Sequence, residues 1–251
     1  MEFSVLGFVE VHENGRTYRP KASKLCEVLG LLAFRANQFV ATETIMHELW
    51  GDSRPASSLT TAQTYIYHLR RAFSRELGVS RPEDVLTTRP SGYLLRVEHD
   101  NDVDCVRFEQ LVKRGQTHVD ASRWSEASAI LREALALWRT PPMGNLTGGQ
   151  VISMYLHRLE ELRRIAIELR VTADLQLGRF RELIPELRDQ VAENPLNEWF
   201  HAQLMTCLSM VGRRGEALQA YQRARHILIE ELGLEPSTEL QQLQRTMLAA
   251  S

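Results

Sequence analysis

The stretch TTAQTYIYHLRRAF, Thr60 to Phe73, decides how the first half of this chain folds. Thr, Tyr and Ile favour strands. Strand alternation fails, because Tyr65, Ile66 and Tyr67 do not sort by parity with their neighbours. On a helix turning about 100° per residue, Leu59, Ala62, Ile66, Leu69 and Phe73 fall on one apolar stripe, the pattern of a helix facing a core. The opposite arc holds Thr60, Thr64, Tyr67, His68, Arg71 and Arg75, and no acid. Hydroxyls occupy its N-terminal end and arginines its C-terminal end. A helix in a major groove uses N-terminal side chains on base edges, while Lys and Arg reach phosphates. An isolated Arg70-Arg71 pair, by itself, fits a solvated basic face better.

The flanking segments change that balance. Phe3–Val5 and Phe8–Val11 suit strands, with a turn signal at Glu13–Gly15. Helical spacing follows from Ser23 to Ala36 through Leu25, Val28, Leu29, Leu32 and Ala33. Thr42 is expected to cap a second helix carrying Ile45, Met46, Leu49 and Trp50, and Gly51 to stop it. After the loop SRPASS (53–58), the helix containing the opening stretch is predicted to run through Leu77. Val85–Thr88 and Tyr93–Val97 then flank a Pro-Ser-Gly turn with Arg89 at its tip. A protruding arginine of this kind can enter a minor groove. Three helices followed by a hairpin describe a winged helix.

The segment EHDNDVD, Glu98 to Asp104, reads as an interdomain linker. Helical pattern fills the remainder, including 108–116, 124–138, 155–177, 180–193, 199–211 and 216–232. Gly178-Arg-Phe-Arg-Glu182 aligns with Gly212-Arg-Arg-Gly-Glu216 at a shift of 34 residues. Pro195 and Pro236 follow at similar places, and RWSEA (123–127) is a weaker third copy. A 34-residue helix–turn–helix period is the mark of tetratricopeptide repeats. The expected fold class is therefore mainly α: a winged helix-turn-helix domain (α+β) over 1–98, then an all-α tetratricopeptide-like domain over 99–251.

Composition bounds the function. The 251 residues carry a net charge of −2, so any nucleic-acid surface must be a local patch. No apolar run is long enough to span a bilayer, and no secretory signal is legible. Three scattered cysteines (Cys26, Cys105, Cys207) fit reduced core thiols in a cytoplasm. No catalytic constellation is found: HExxH, CxxC, GxGxxG and GxSxG are all missing. His47 beside Glu48 has no second histidine at zinc spacing. Glu160-Glu161 and Glu230-Glu231 point about 100° apart on helices and read as solvated charge. GNLTGGQ (144–150) reads as an interhelix loop. No enzyme activity, cofactor or metal is expected.

Residues 1–98 resemble the OmpR/PhoB-type winged helix through HELWG (47–51), YIYHLRRAF (65–73) and LTTRPSGYLL (86–95). That resemblance implies a recognition helix carrying Thr60, Thr61, Thr64, Tyr67, His68, Arg71 and Arg75. It makes Arg89 the minor-groove arginine of the wing and Trp50 a backbone contact, core packing being the other reading of Trp50. Arg70 and Glu48 could form an internal ion pair instead of touching DNA. LREALALWRTPP (131–142), RLEELRRIAIELRVTADLQLGRF (158–180), NPLNEWFHAQLM (194–205) and GRRGEALQAYQRARHILIEELGLEPSTEL (212–240) look like the bacterial transcriptional activation domain.

The two domains together resemble the Streptomyces antibiotic regulatory protein family. The resemblance implies a cytoplasmic activator of antibiotic gene clusters. It would bind double-stranded promoter DNA at direct repeats near the −35 element, two copies lying side by side. It would recruit RNA polymerase holoenzyme with its sigma factor, and Arg54 in the loop before the recognition helix is a candidate polymerase contact. Many relatives carry a basic residue in place of His68 and Ser in place of Tyr67, so base preference is expected to differ. No receiver domain precedes the winged helix and no GxxxxGK[ST] motif is present, so regulation through abundance is expected. A helical-repeat scaffold for a protein or peptide, with the winged helix as docking module, is the alternative.

Overall fold

The computed structural model describes residues 1–139 and 148–249. The chain opens with an antiparallel sheet of β1 (Glu2–Ser4), β2 (Glu10–Glu13) and β3 (Arg16–Tyr18). Asn14 and Gly15 take positive φ (49° and 75°) in the β2–β3 turn, as a two-residue hairpin matched to strand twist requires. Helix α1 (Ser23–Phe34) follows, then β4 (Phe39–Ala41), α2 (Thr42–Trp50) and α3 (Ser58–Arg75). A single helical turn, α4 (Pro82–Val85), leads into the hairpin β5 (Leu86–Arg89) and β6 (Gly92–Leu95). The second sheet has the order β4-β6-β5. Strand β6 is therefore central, and β5 forms the outer strand of the wing.

Three local expectations need correction. Ala41 occupies the N-cap of α2 and no side chain caps it, so Thr42 is the first helical residue and not the cap. The opening helix ends at Arg75, not Leu77. Leu59 is 50% exposed, so the buried stripe of α3 starts at Ala62 and continues through Ile66, Leu69 and Phe73. Burying each of the larger three contributes about 1.5–3 kcal/mol. Phe73 meets Phe3 and Tyr18 edge-on at centroid distances of 6.3 and 6.4 Å, which ties α3 to the N-terminal sheet.

The charged segment 98–104 is not a free linker. A 3-10 turn spans Asp100–Asp102, Val103 is buried and bridges to Phe3, and Asp104 is buried. The Val5 and Leu6 amides donate to the Asp104 carboxylate at 2.8 and 3.2 Å. Burial pushes that carboxyl up to about 6, although both amides and Arg139 oppose the shift. Arg139 also donates to Ser4 Oγ at 2.5 Å and to Glu10 at 3.1 Å, and its own amide donates to the Leu6 carbonyl at 2.8 Å.

Helices α5 (Asp104–Asp120), α6 (Trp124–Ala136), α7 (Gln150–Gln176), α8 (Phe180–Glu193), α9 (Glu198–Met210), α10 (Arg214–Leu232) and α11 (Thr238–Ala249) complete the chain. Two compact units result: Met1–Ala121 with Ala129–Leu169, and Ser122–Ser128 with Arg170–Ser251. In the first, Glu48 of α2 accepts from the Val151 and Ile152 amides at the start of α7, both at 2.9 Å. Gly149 lies so close that an added Cβ would stand 2.5 Å from the Glu48 carbonyl oxygen. Phe34 of α1 stacks on Tyr155 of α7 at 5.0 Å and 3°. Most of the 144–150 segment, read as a loop, lies outside the described residues, as do residues 140–142 of the activation-domain motif.

The second unit is built on the repeat. Gly178 and Gly212 take φ of 72° and 80°, the left-handed turns before α8 and α10. The Arg179 amide donates to the Asp174 carbonyl and the Arg213 amide to the Leu208 carbonyl. In the weaker copy Ser122, aligned with the two glycines, also takes a positive φ, 54°. The prolines do not keep one offset, because α10 has 19 residues and α8 has 14. At the unit's centre Asp174 is fully buried and accepts from Ser128 Oγ (2.7 Å), Arg170 (3.0 Å) and Arg179 (2.8 Å). Cys26, Cys105 and Cys207 are all buried and unbridged. Among the described residues no helix is long and apolar enough to cross a membrane, and no cluster suits a metal ion.

Candidate nucleic-acid interface

Helix α3 owes its outer face to composition. Its 18 residues include no acid. Thr60, Thr64, Tyr67, His68, Arg71 and Arg75 are exposed on one side, and Thr61 is half-buried at its margin. Tyr67 is 58% exposed, an unusual state for a tyrosine not facing a partner. Its ring lies 5.6 Å from that of His68. Thr61 Oγ1 donates to the Ser57 carbonyl at 2.9 Å and Thr64 Oγ1 to the Thr60 carbonyl at 2.8 Å. Those hydroxyl protons are committed within the helix. Toward a partner these threonines offer acceptor lone pairs and methyl groups.

The adjacent arginines part company. Arg71 is exposed. Arg70 is turned toward the wing, where its Nε and Nη2 donate to the Leu86 carbonyl at 2.9 and 2.5 Å and Nη2 donates to Thr88 Oγ1 at 2.8 Å. The expected ion pair with Glu48 does not form, since Glu48 caps α7. Arg70 instead ties α3 to the wing hairpin.

The wing tip is set by backbone chemistry. Ser91 takes φ of 64° in the turn, and Arg89 pairs with Gly92 across it. A Cβ on Gly92 would stand 2.3 Å from the Val40 carbonyl oxygen, so β6 passes β4 there only as glycine. Arg89, Pro90 and Ser91 are exposed. Arg54, by contrast, is folded back: it pairs with Glu43, and its Nε donates to the Gly51 carbonyl at 3.2 Å. Trp50 is half-buried at the end of α2 and is not part of the closed core.

Sequence pattern does not single out two residues of this surface. Gln63 is exposed and lines two clefts between α3 and the wing, one with Tyr67, Arg71 and Thr88, the other with Leu59 and Arg89. Leu59 reads as core from its spacing alone. The helical wheel does place Gln63 about 60° from Thr60, on the flank away from Thr64. That signal is weak, because an uncharged amide does not stand out beside hydroxyls and arginines.

A buried three-helix core presenting one acid-free helix beside a hairpin, with helical hairpins after it, defines a winged-helix domain followed by an all-helical region. Comparison with known proteins agrees. Residues 20–95 match the model of the transcriptional regulatory protein C-terminal family, and residues 103–248 match that of the bacterial transcriptional activator domain. The regulatory protein DnrI of Streptomyces peucetius is 41% identical over 253 aligned residues, covering 100% of this chain and 93% of DnrI. AfsR of Streptomyces coelicolor is 29% identical over all of this chain, which spans 24% of AfsR. The solved structure of Mycobacterium tuberculosis EmbR in complex with a low-affinity phosphopeptide superposes with a TM-score of 0.88 at 28% identity, over 98% of this chain and 64% of EmbR. The chain belongs to the Streptomyces antibiotic regulatory protein family of transcriptional regulators.

Proposed function

We propose that this regulator is a sequence-specific DNA-binding activator of an antibiotic or other secondary-metabolite gene cluster. Helix α3 enters a major groove and the β5–β6 hairpin enters the adjacent minor groove. Thr60, Thr61, Thr64, Tyr67 and His68 face base edges. Arg71 and Arg75 reach phosphates, Arg89 enters the minor groove, and Trp50 contacts the backbone. The observation that carries this reading is the acid-free, exposed face of α3 beside an exposed wing arginine, in a molecule whose overall charge is −2. A local basic surface on a near-neutral chain is the electrostatic footprint of a nucleic-acid site.

Functionally we divide the chain into a DNA-binding region, residues 1–98, and an activating region, residues 99–251. Two copies bind direct repeats near the −35 element in the same orientation, a head-to-tail arrangement that needs no symmetric dimer in solution. The activating region, together with Arg54 of the DNA-binding region, recruits RNA polymerase holoenzyme through its sigma factor. No reaction chemistry is assigned to the chain.

Genome-wide footprinting of the protein in its host tests the proposal. It should return a small set of promoters carrying tandem sites at one spacing, within a biosynthetic cluster. Occupancy without a shared sequence would leave the scaffold reading in its place.

A further inference from the structure

We propose that Gln63 is a base-reading residue that selects adenine at one position of each half-site, an inference resting on the DNA-binding function proposed above. Gln63 lies in the second turn of α3 (Ser58–Arg75), is exposed, and stands between the recognition face and the wing. That turn of a groove-inserted helix is the region that meets base edges. Tyr67, Arg71 and Arg89 share its clefts, but its flanking helix neighbours Leu59 and Thr64 offer little donor chemistry to the same base. The Thr64 hydroxyl proton is held by the Thr60 carbonyl at 2.8 Å, and Leu59, 50% exposed, is apolar.

The Gln63 carboxamide carries a donor and an acceptor side by side. Adenine presents the complement in the major groove, an N7 acceptor beside the N6 amino donor. Leu59, on the same flank one turn earlier, suits a thymine methyl. The cations lie further along the helix, at Arg71 and Arg75, where they suit phosphate. Glutamine alone adds no charge, so its contribution belongs to sequence preference rather than to electrostatic attraction.

The test selects duplexes from a randomised pool with the full-length wild type, Gln63→Ala and Gln63→Glu, then titrates the selected site and single-pair variants at one salt concentration. Equal unfolding midpoints verify that the exposed substitutions leave the fold intact. With Gln63→Ala, one A·T position per half-site should lose its preference, and affinity for the selected site should fall about 5- to 150-fold. Affinity for the site altered at that pair should match that of the wild type. Gln63→Glu should shift the preference at that position toward cytosine. Preference retained at every position in Gln63→Ala, or a loss equal for all sequences as a phosphate contact would give, overturns the assignment. A wild type with no sequence preference overturns the DNA-reading function itself, a result distinct from the failure of Gln63.

Discussion

The Glu48 carboxylate accepts from the Ile152 amide at 2.9 Å, across 104 residues of sequence, and from the Val151 amide at the same distance. A carboxylate at a helix N-terminus satisfies orphan amides and interacts favourably with the helix dipole. Glu48→Ala leaves two donors without a partner in a part-buried site. We expect a loss of about 1–3 kcal/mol, read as a lowered midpoint in thermal unfolding. Glu48→Gln should recover some of it, because one acceptor remains. An unchanged midpoint in Glu48→Ala would show that water satisfies these amides.

Asp104 gives a pH signature of defined sign. Its folded value of about 6 stands above the ordinary 3.8 because of burial. Between those values the folded chain holds a proton that the unfolded chain has released. The stability associated with that proton is present at low pH and lost as pH rises through about 6. The stability advantage of the wild type over Asp104→Asn should therefore shrink from about pH 4 to about pH 7. Chemical denaturation of both proteins across that range measures it, and a growing advantage would contradict the assignment.

Arg70 and Arg71 should separate cleanly in experiment. Arg71→Ala should reduce the slope of log affinity against log salt by about 0.9 and leave stability within about 0.5 kcal/mol. Arg70→Ala removes the bonds to Leu86 and Thr88. It should cost about 1–3 kcal/mol of stability with the salt slope unchanged. The reverse assignment of slope and stability would show that Arg70 is the phosphate contact.

Asp174→Ala takes from Arg170, whose side chain is 3% exposed, one of its two carboxylate partners and leaves it Glu186. Losing the buried acceptor that Ser128, Arg170 and Arg179 share should cost about 1–3 kcal/mol. Limited proteolysis should find new cleavage sites first within residues 170–249. Cleavage that begins in the winged helix would contradict that placement.

What is legible in the sequence is mostly local. The spacing of Ala62, Ile66, Leu69 and Phe73 specifies the buried side of α3, and Gly178 and Gly212 mark the repeat turns. Ser122 takes a left-handed φ where the two stronger copies carry glycine, a turn that serine does not advertise. The features that sequence misplaces depend on distant partners. Asp104 sits in a charged string that resembles a linker, and only the amides of Val5 and Leu6 explain its burial. Glu48 offers itself as an internal partner for Arg70, since nothing nearby announces the start of α7. Leu59 completes the apolar spacing but lies where the core has already ended. Of the candidate site, the helix face and wing tip follow from pattern, whereas the inward turn of Arg70 and the cleft position of Gln63 need the hairpin in place.

The proposed function has helix α3 and the wing reading promoter DNA together. The most direct measurement is the affinity of the wild type and of Arg89→Ala for a footprinted site and for a scrambled duplex, across a range of salt. The wild type should prefer the site by roughly a thousandfold or more, log affinity should fall linearly with log salt, and Arg89→Ala should bind more weakly. Equal wild-type affinity for the site and the scrambled duplex at moderate salt would contradict it.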